Sequence, residues 1–86
     1  MSDYSVTFTR SARKELESLP ATLVDRIFPK IEALVGNPRP SGCKKLKGSF
    51  DLWRIRVGEY RVIYSILEKQ IRIEIIAVRH RRKAYE

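Results

Sequence analysis

The run 52-LWRIRVGEYRVIY-64 changes character at almost every second residue, and that alternation constrains the fold more than any other feature of the chain. Successive side chains of a β-strand point to opposite faces of the sheet. Gly58-Glu59 reads as a two-residue hairpin turn with glycine first, in the manner of a type II′ turn. Folding the run about that turn sets Val57 opposite Tyr60, Arg56 opposite Arg61, Ile55 opposite Val62 and Trp53 opposite Tyr64. One face then carries Trp53, Ile55, Val57, Tyr60, Val62, Tyr64 and Ile66, which is a core face. The other carries Arg54, Arg56 and Arg61 with no acid among them, and is expected to be solvated.

The remaining chain supplies what covers the apolar side. A strand expected over 71–79 adds Ile71, Ile73, Ile75 and Ala77 to it. Upstream, 4-YSVTF-8 alternates and is β-branched or aromatic, so it reads as a first strand. Thr9 or Ser11 can cap a helix running through Leu19, with Ala12, Leu16 and Leu19 on one stripe. Pro20 closes that helix and opens another from Ala21 to Val35, whose stripe is Leu23, Ile27, Ile31, Leu34 and Val35; 36-GNPRP-40 stops it. Pro29 removes one helical hydrogen bond and is expected to kink or break the helix, on the side away from the stripe. A short basic segment, 43-CKKLKG-48, leads into the hairpin. The expected architecture is α+β: an N-terminal strand and a two-helix hairpin packed on one face of a mainly antiparallel sheet of about four strands, in a single domain spanning 1–86.

Eighty-six residues, 43% of them hydrophobic and 33% charged, suit one folded domain with one modest core. No apolar run is long enough to cross a bilayer, and MSDYSVTFTR does not read as a signal peptide, so the expected compartment is the cytoplasm. With one cysteine, Cys43, and one histidine, no internal disulfide forms and little material exists for a zinc site. No metal and no cofactor are expected.

Charge carries the functional signal. Eighteen Lys and Arg against ten Asp and Glu leave +8, a balance that fits a polyanionic partner. Arg56 directly across from Arg61 is unfavourable as a bare pair, because like charges opposed on adjacent strands repel. Guanidinium forks match phosphate oxygens two at a time, so a ligand anion is the expected neutralising charge. Lys44, Lys45 and Lys47 stand before this face, and 79-RHRRKAYE-86 follows it with Arg79, Arg82 and Lys83 as further candidates for gripping a polyanion, whether nucleic acid, acidic protein or anionic membrane. Strand parity places His80 on the arginine face. Tyr85 is either a stacking platform for a base or an ordinary packing residue.

The order of parts closely resembles the RelE branch of the RelE/ParE toxin superfamily over nearly the whole chain, Tyr4 to Tyr85. The resemblance is sharpest at Leu46-Lys47-Gly48, at the W-R-I-R-V-G-x-Y-R-V-I-Y block and at the R-H-R-x-x-A-Y ending. It implies the toxin of a type II toxin–antitoxin system, an endoribonuclease that cuts mRNA in the ribosomal A site without a metal. The chemistry implied is attack of a 2′-hydroxyl on the adjacent phosphate, which needs a base, an acid and cations around the crowded phosphorus. Carried over by position, the catalytic set is Arg54, Arg56, Arg61, Arg81 and Tyr85, with His80 as rival to Tyr85 for the base. The best-known members hold lysines where this chain has Arg54 and Arg56. Arginine does not deprotonate in proteins, so these two are stabilisers of charge rather than bases. The implied partners are a partly disordered acidic antitoxin, the 70S ribosome and mRNA, with no membrane and no small-molecule cofactor. Alternatives of other classes are a ParE-like toxin that poisons DNA gyrase without nuclease activity, a module that only binds, and a decayed toxin that retains only its antitoxin.

Overall fold

Thr9 joins the first strand to the first helix and serves both. Its side-chain oxygen accepts from the Ala12 N–H at 3.0 Å, capping the helix, and its hydroxyl donates to the Ile76 carbonyl at 3.2 Å. The computed structural model describes residues 3–48 and 51–83. Along the chain run β1 (Ser5–Phe8), α1 (Arg10–Glu17), α2 (Ala21–Ala33), β2 (Lys44–Lys45), β3 (Leu52–Val57), β4 (Tyr60–Leu67), a 3-10 turn (Glu68–Gln70) and β5 (Arg72–His80). The five strands form one sheet in the order β1-β5-β4-β3-β2. All neighbouring pairs are antiparallel except β1 with β5, which is parallel. The α+β architecture is the expected one, extended by the two-residue β2.

Both helices lie on one side of the sheet. Ala12 and Leu16 of α1, Ile27 and Ile31 of α2, and Leu34 just beyond it meet Ile55, Val57, Val62, Tyr64, Ile66, Ile73, Ile75 and Val78 in the main core. Helix α2 continues through Pro29, which is exposed, so the proline does not break it. The buried stripe of Ile27 and Ile31 lies on the other side and is packed without interruption. Tyr64 is wholly buried, and its hydroxyl donates to the Pro38 carbonyl at 2.6 Å. Burial raises its pKa, so the phenol stays protonated and keeps that bond. The 36–43 loop is thereby tied down onto the sheet.

Two corrections to the expected pattern arise in the last strand. Ile71 does not join the core. It is exposed in the left-handed region at φ 49°, where the chain leaves the 3-10 turn, and β5 begins one residue later. The second correction is a β-bulge. Tyr64 pairs with Ile75, but Ile63 pairs with Ala77, which leaves Ile76 as an extra residue. The alternation of β5 therefore reverses at that point. Ala77 moves to the face opposite the helices, where it packs with Ile63, Leu46, Leu52 and Ile76, and Val78 takes its place in the main core.

Strand β1 ends where the bulge begins, so the outer edge of β5 beyond Ile75 has no strand beside it. Helix α1 covers that edge instead. One oxygen of Glu15 accepts from the Val78 N–H at 3.1 Å and the other from Arg79 Nε at 2.8 Å. Replacing Glu15 by Ala leaves a part-buried N–H unpaired and is expected to cost about 1–3 kcal/mol. In a domain of this size that lowers the thermal midpoint by roughly 4–8 °C per kcal/mol, as differential scanning calorimetry would measure.

At the far end, Arg39 pairs with Glu68 at 2.8 Å and lies over the Trp53 ring, 4.9 Å from its centroid. The Arg39 hydrogen bond holds the Glu68 carboxyl below its ordinary range. A depressed folded-state pKa gives stability that is present above the unfolded value of 4.5 and is lost as pH falls through the folded value. The stability gap between wild type and Glu68→Gln in urea titrations is therefore expected to be widest near neutrality and to close under acid.

Candidate active site

The face away from the helices is graded from end to end. Near β1 it carries Ser5, Thr7, Arg72 and Glu74, and in the middle the small apolar cluster around Ile63 and Ala77. At the hairpin end it becomes basic. Arg56, Arg61 and Arg79 fall in one row across β3, β4 and β5, and Lys44 and Arg54 stand opposite each other in the adjoining row. The register at Arg56 and Arg61 is the one read from the sequence.

The burial of these arginines is not the expected one. Arg54 is 4% exposed and Arg61 8%, so of the hairpin's three arginines only Arg56 stands in solvent. A guanidinium taken out of water needs acceptors, and here backbone carbonyls supply them. Arg61 folds back over the hairpin turn, with Nη1 donating to the Gly58 carbonyl at 3.1 Å and the Tyr60 carbonyl at 3.0 Å. Its Nε–H is enclosed and has no partner. Arg54 makes one long bond, Nη1 to the Gly42 carbonyl at 3.5 Å, beneath the segment that enters β2. No carboxylate among the described residues pairs with Arg54, Arg56 or Arg61.

The turn that holds Arg61 is built around Gly58. Its φ is +59°, and a Cβ there would lie 3.1 Å from the Arg26 guanidinium of α2. Glu59 is not among the residues at positive φ, so the turn matches type II′ rather than type I′. The same turn holds Arg81. The Arg81 N–H donates to the Glu59 carbonyl at 2.7 Å, and its Nε meets the Glu59 carboxylate at 2.8 Å.

The bulge removes His80 from the arginine face. With parity reversed, His80 pairs with Tyr60 on the helix side, ring edge to ring face with centroids 5.6 Å apart. Its Nδ1 accepts from the Arg82 N–H at 3.3 Å, and it lines a cleft with Glu15, Leu19 and Lys83. Arg79 takes the register position opposite Arg61, but Glu15 draws its guanidinium to the outer edge. Lys44 shares a row with Arg54, whereas Lys45 pairs with Trp53 in the alternate row; Lys44, Lys45, Lys47, Arg82 and Lys83 are all exposed. Tyr85 lies outside the described residues.

Three features were not found from sequence: the pairing of Lys44, already a candidate, with Arg54, and the carboxylates of Glu59 and Glu15. Lys44 joins the arginine face only because two residues pair as β2, too short a stretch to show a period. Glu59 and Glu15 emerge as partners of Arg81 and Arg79 only once the turn and helix α1 are in place. A carboxylate beside an arginine in the hairpin turn was the one available signal, and it points equally well to solvent.

Arg56 and Arg61 still repel across the strand pair. Reversing the exposed charge by Arg56→Glu is expected to stabilise the fold by about 0.5–1 kcal/mol, seen as a thermal midpoint a few degrees higher.

Comparison with known proteins places the whole chain. A family model described as the ParE toxin of type II toxin–antitoxin systems matches residues 6–85. A putative toxin RelE1 of Methanocaldococcus jannaschii is 33% identical over 86 residues, covering 96% of this chain and 96% of its own. The mRNA interferase toxin RelE of Escherichia coli K12 is 25% identical over 83 residues, covering 94% and 86%. An archaeal RelE–RelB complex from Pyrococcus horikoshii superposes with a TM-score of 0.81 at 34% identity, covering 95% of this chain and 99% of that one.

Proposed function

The chain belongs to the ParE toxin family of type II toxin–antitoxin systems, and we propose that it acts as an mRNA interferase of the RelE kind, cutting mRNA in the ribosomal A site. The observation that carries this reading is the cluster of Arg54, Arg56 and Arg61, gathered on one face without a carboxylate partner. A cluster that the fold leaves uncompensated is suited to an anion arriving from outside. The mRNA interferase name of the Escherichia coli relative supports the same activity, and RelE–RelB complexes among the similar structures support a cognate antitoxin as partner.

In the proposed reaction the 2′-oxygen of one nucleotide forms a bond to the adjacent phosphorus while the bond from phosphorus to the 5′-oxygen breaks. A base takes the 2′-hydroxyl proton and an acid gives one to the 5′-oxygen, leaving a 2′,3′-cyclic phosphate and a 5′-hydroxyl. The arginines serve the charge that builds on the non-bridging oxygens, where donors already fixed in place act without reorganising. Arg61 is held by its turn and Arg54 by its burial, so both present fixed positive charge beneath the face, while Arg56 is free to close on the phosphate. None of the three can be the base. The location of His80 behind the sheet supports Tyr85 as the proton carrier. Ribosomal presentation of a bent mRNA would supply alignment that this shallow face does not.

The ParE description of the matching family supports a second reading, a gyrase poison that cuts no RNA. Primer extension on mRNA programmed into purified ribosomes separates the two. The expected result is a new cut within the A-site codon, absent on free RNA and reduced at least 100-fold in Arg61→Lys, which keeps the charge but loses the guanidinium that the turn carbonyls hold in place. That size follows from one preorganised donor being worth roughly 10²–10³ in rate. Growth arrest by wild type with no cut would replace this reading by the gyrase poison.

A further inference from the structure

We infer that Glu59 is a positioning residue for Arg81, holding its guanidinium in the orientation the proposed cleavage uses; the inference rests on that proposed function. Glu59 makes two separate contacts with Arg81. Its backbone carbonyl accepts the Arg81 N–H at 2.7 Å, and its carboxylate meets Arg81 Nε at 2.8 Å. The first contact already fixes where the chain leaves β5. The second contributes little to folding, since its two side chains are 55% and 62% exposed and exposed ion pairs are weak. What the carboxylate does is bias the direction of the guanidinium by its charge. With Nε beside the carboxylate, no ion pair or hydrogen bond among the described residues takes Nη1 or Nη2, and that edge is a fork of the shape that grips two phosphate oxygens.

The placement of Glu59 gives this tether its significance. Glu59 stands between Gly58 and Tyr60, whose carbonyls both hold Nη1 of Arg61. One hairpin turn thus anchors two arginines by different atoms: Arg61 through the turn's carbonyls and Arg81 through its side chain. Two cations anchored to the same three residues keep a set relation to each other, which two flexible arginines on separate strands would not have. The turn itself cannot easily shift, because Gly58 is at positive φ with Arg26 packed beneath it. Among the described residues, the only other carboxylate paired with an arginine at this end of the sheet is Glu15, and it serves Arg79 at the outer edge.

The test is a double-mutant cycle in the ribosome assay with Glu59→Ala, Arg81→Ala and the pair, alongside Glu59→Asp and Glu59→Gln. Glu59→Ala is expected to lower kcat about 10-fold with KM changed less than about twofold, a loss in the range for a misplaced catalytic group. Glu59→Asp should recover part of that rate. In the Arg81→Ala background, removing Glu59 should cost nothing further, since its effect passes through Arg81. Independently of RNA, the Arg81 Nε–H signal in the NMR spectrum of the intact protein should change position in Glu59→Ala. Losses that add in the double mutant, or a Glu59→Ala protein as fast as wild type, would overturn the inference while leaving the nuclease reading intact. Disappearance of the acidic limb of the pH profile in Glu59→Gln would overturn it too, by making the carboxylate the base. A wild type that makes no cut strikes the nuclease reading instead, and the Arg81 signal still decides whether the tether exists.

Discussion

Strand β4 is hydrogen-bonded on both sides, and everything else in the domain is arranged around that fact. It pairs with β3 through the hairpin and with β5 through its whole length, so its six residues Arg61 to Ile66 are all buried. Val62, Tyr64 and Ile66 point into the helices and form the centre of the main core. Arg61, Ile63 and Ser65 point the other way, into a face that no helix covers. A strand in this position cannot slip by one residue, because a slip would exchange its apolar and polar sets. The register of the arginines is therefore secured by the hydrophobic core on the opposite side.

A single extra residue in β5 then sorts the neighbours of that face. Because Ile76 is unpaired, Val78 returns to the core and His80 follows it to the helix side. The same step ends the partnership with β1 and leaves an edge that α1 closes through Glu15. Exposed strand edges invite pairing with other chains, and a carboxylate seated on the edge N–H is one way to prevent it. The bulge thus determines both which side chains accompany the arginines and how the sheet stops.

Charge is distributed by the same geometry. The peripheral cations Arg79, Arg81 and Arg39 each have a carboxylate, while the hairpin's own arginines are held by backbone carbonyls or by solvent. Carbonyls orient a guanidinium without cancelling its charge. The basic end of the face consequently keeps its positive potential.

Much of the local structure was legible in the residues alone. Strands at 52–57 and 60–67, the turn between them, the Thr9 cap and the start of the second helix all occur where pattern and capping chemistry put them. Each depends on residues within a few positions of one another, for which alternation, helical spacing and turn preference are sufficient. By itself the sequence determined the two faces of the hairpin and the pairing of Arg56 with Arg61. Only the tertiary structure decided which arginines are buried, which carry a carboxylate and which side His80 takes. Those outcomes depend on a bulge with no period of its own and on contacts such as Glu15 with Arg79, 64 residues apart, that exist only after the chain has closed on itself.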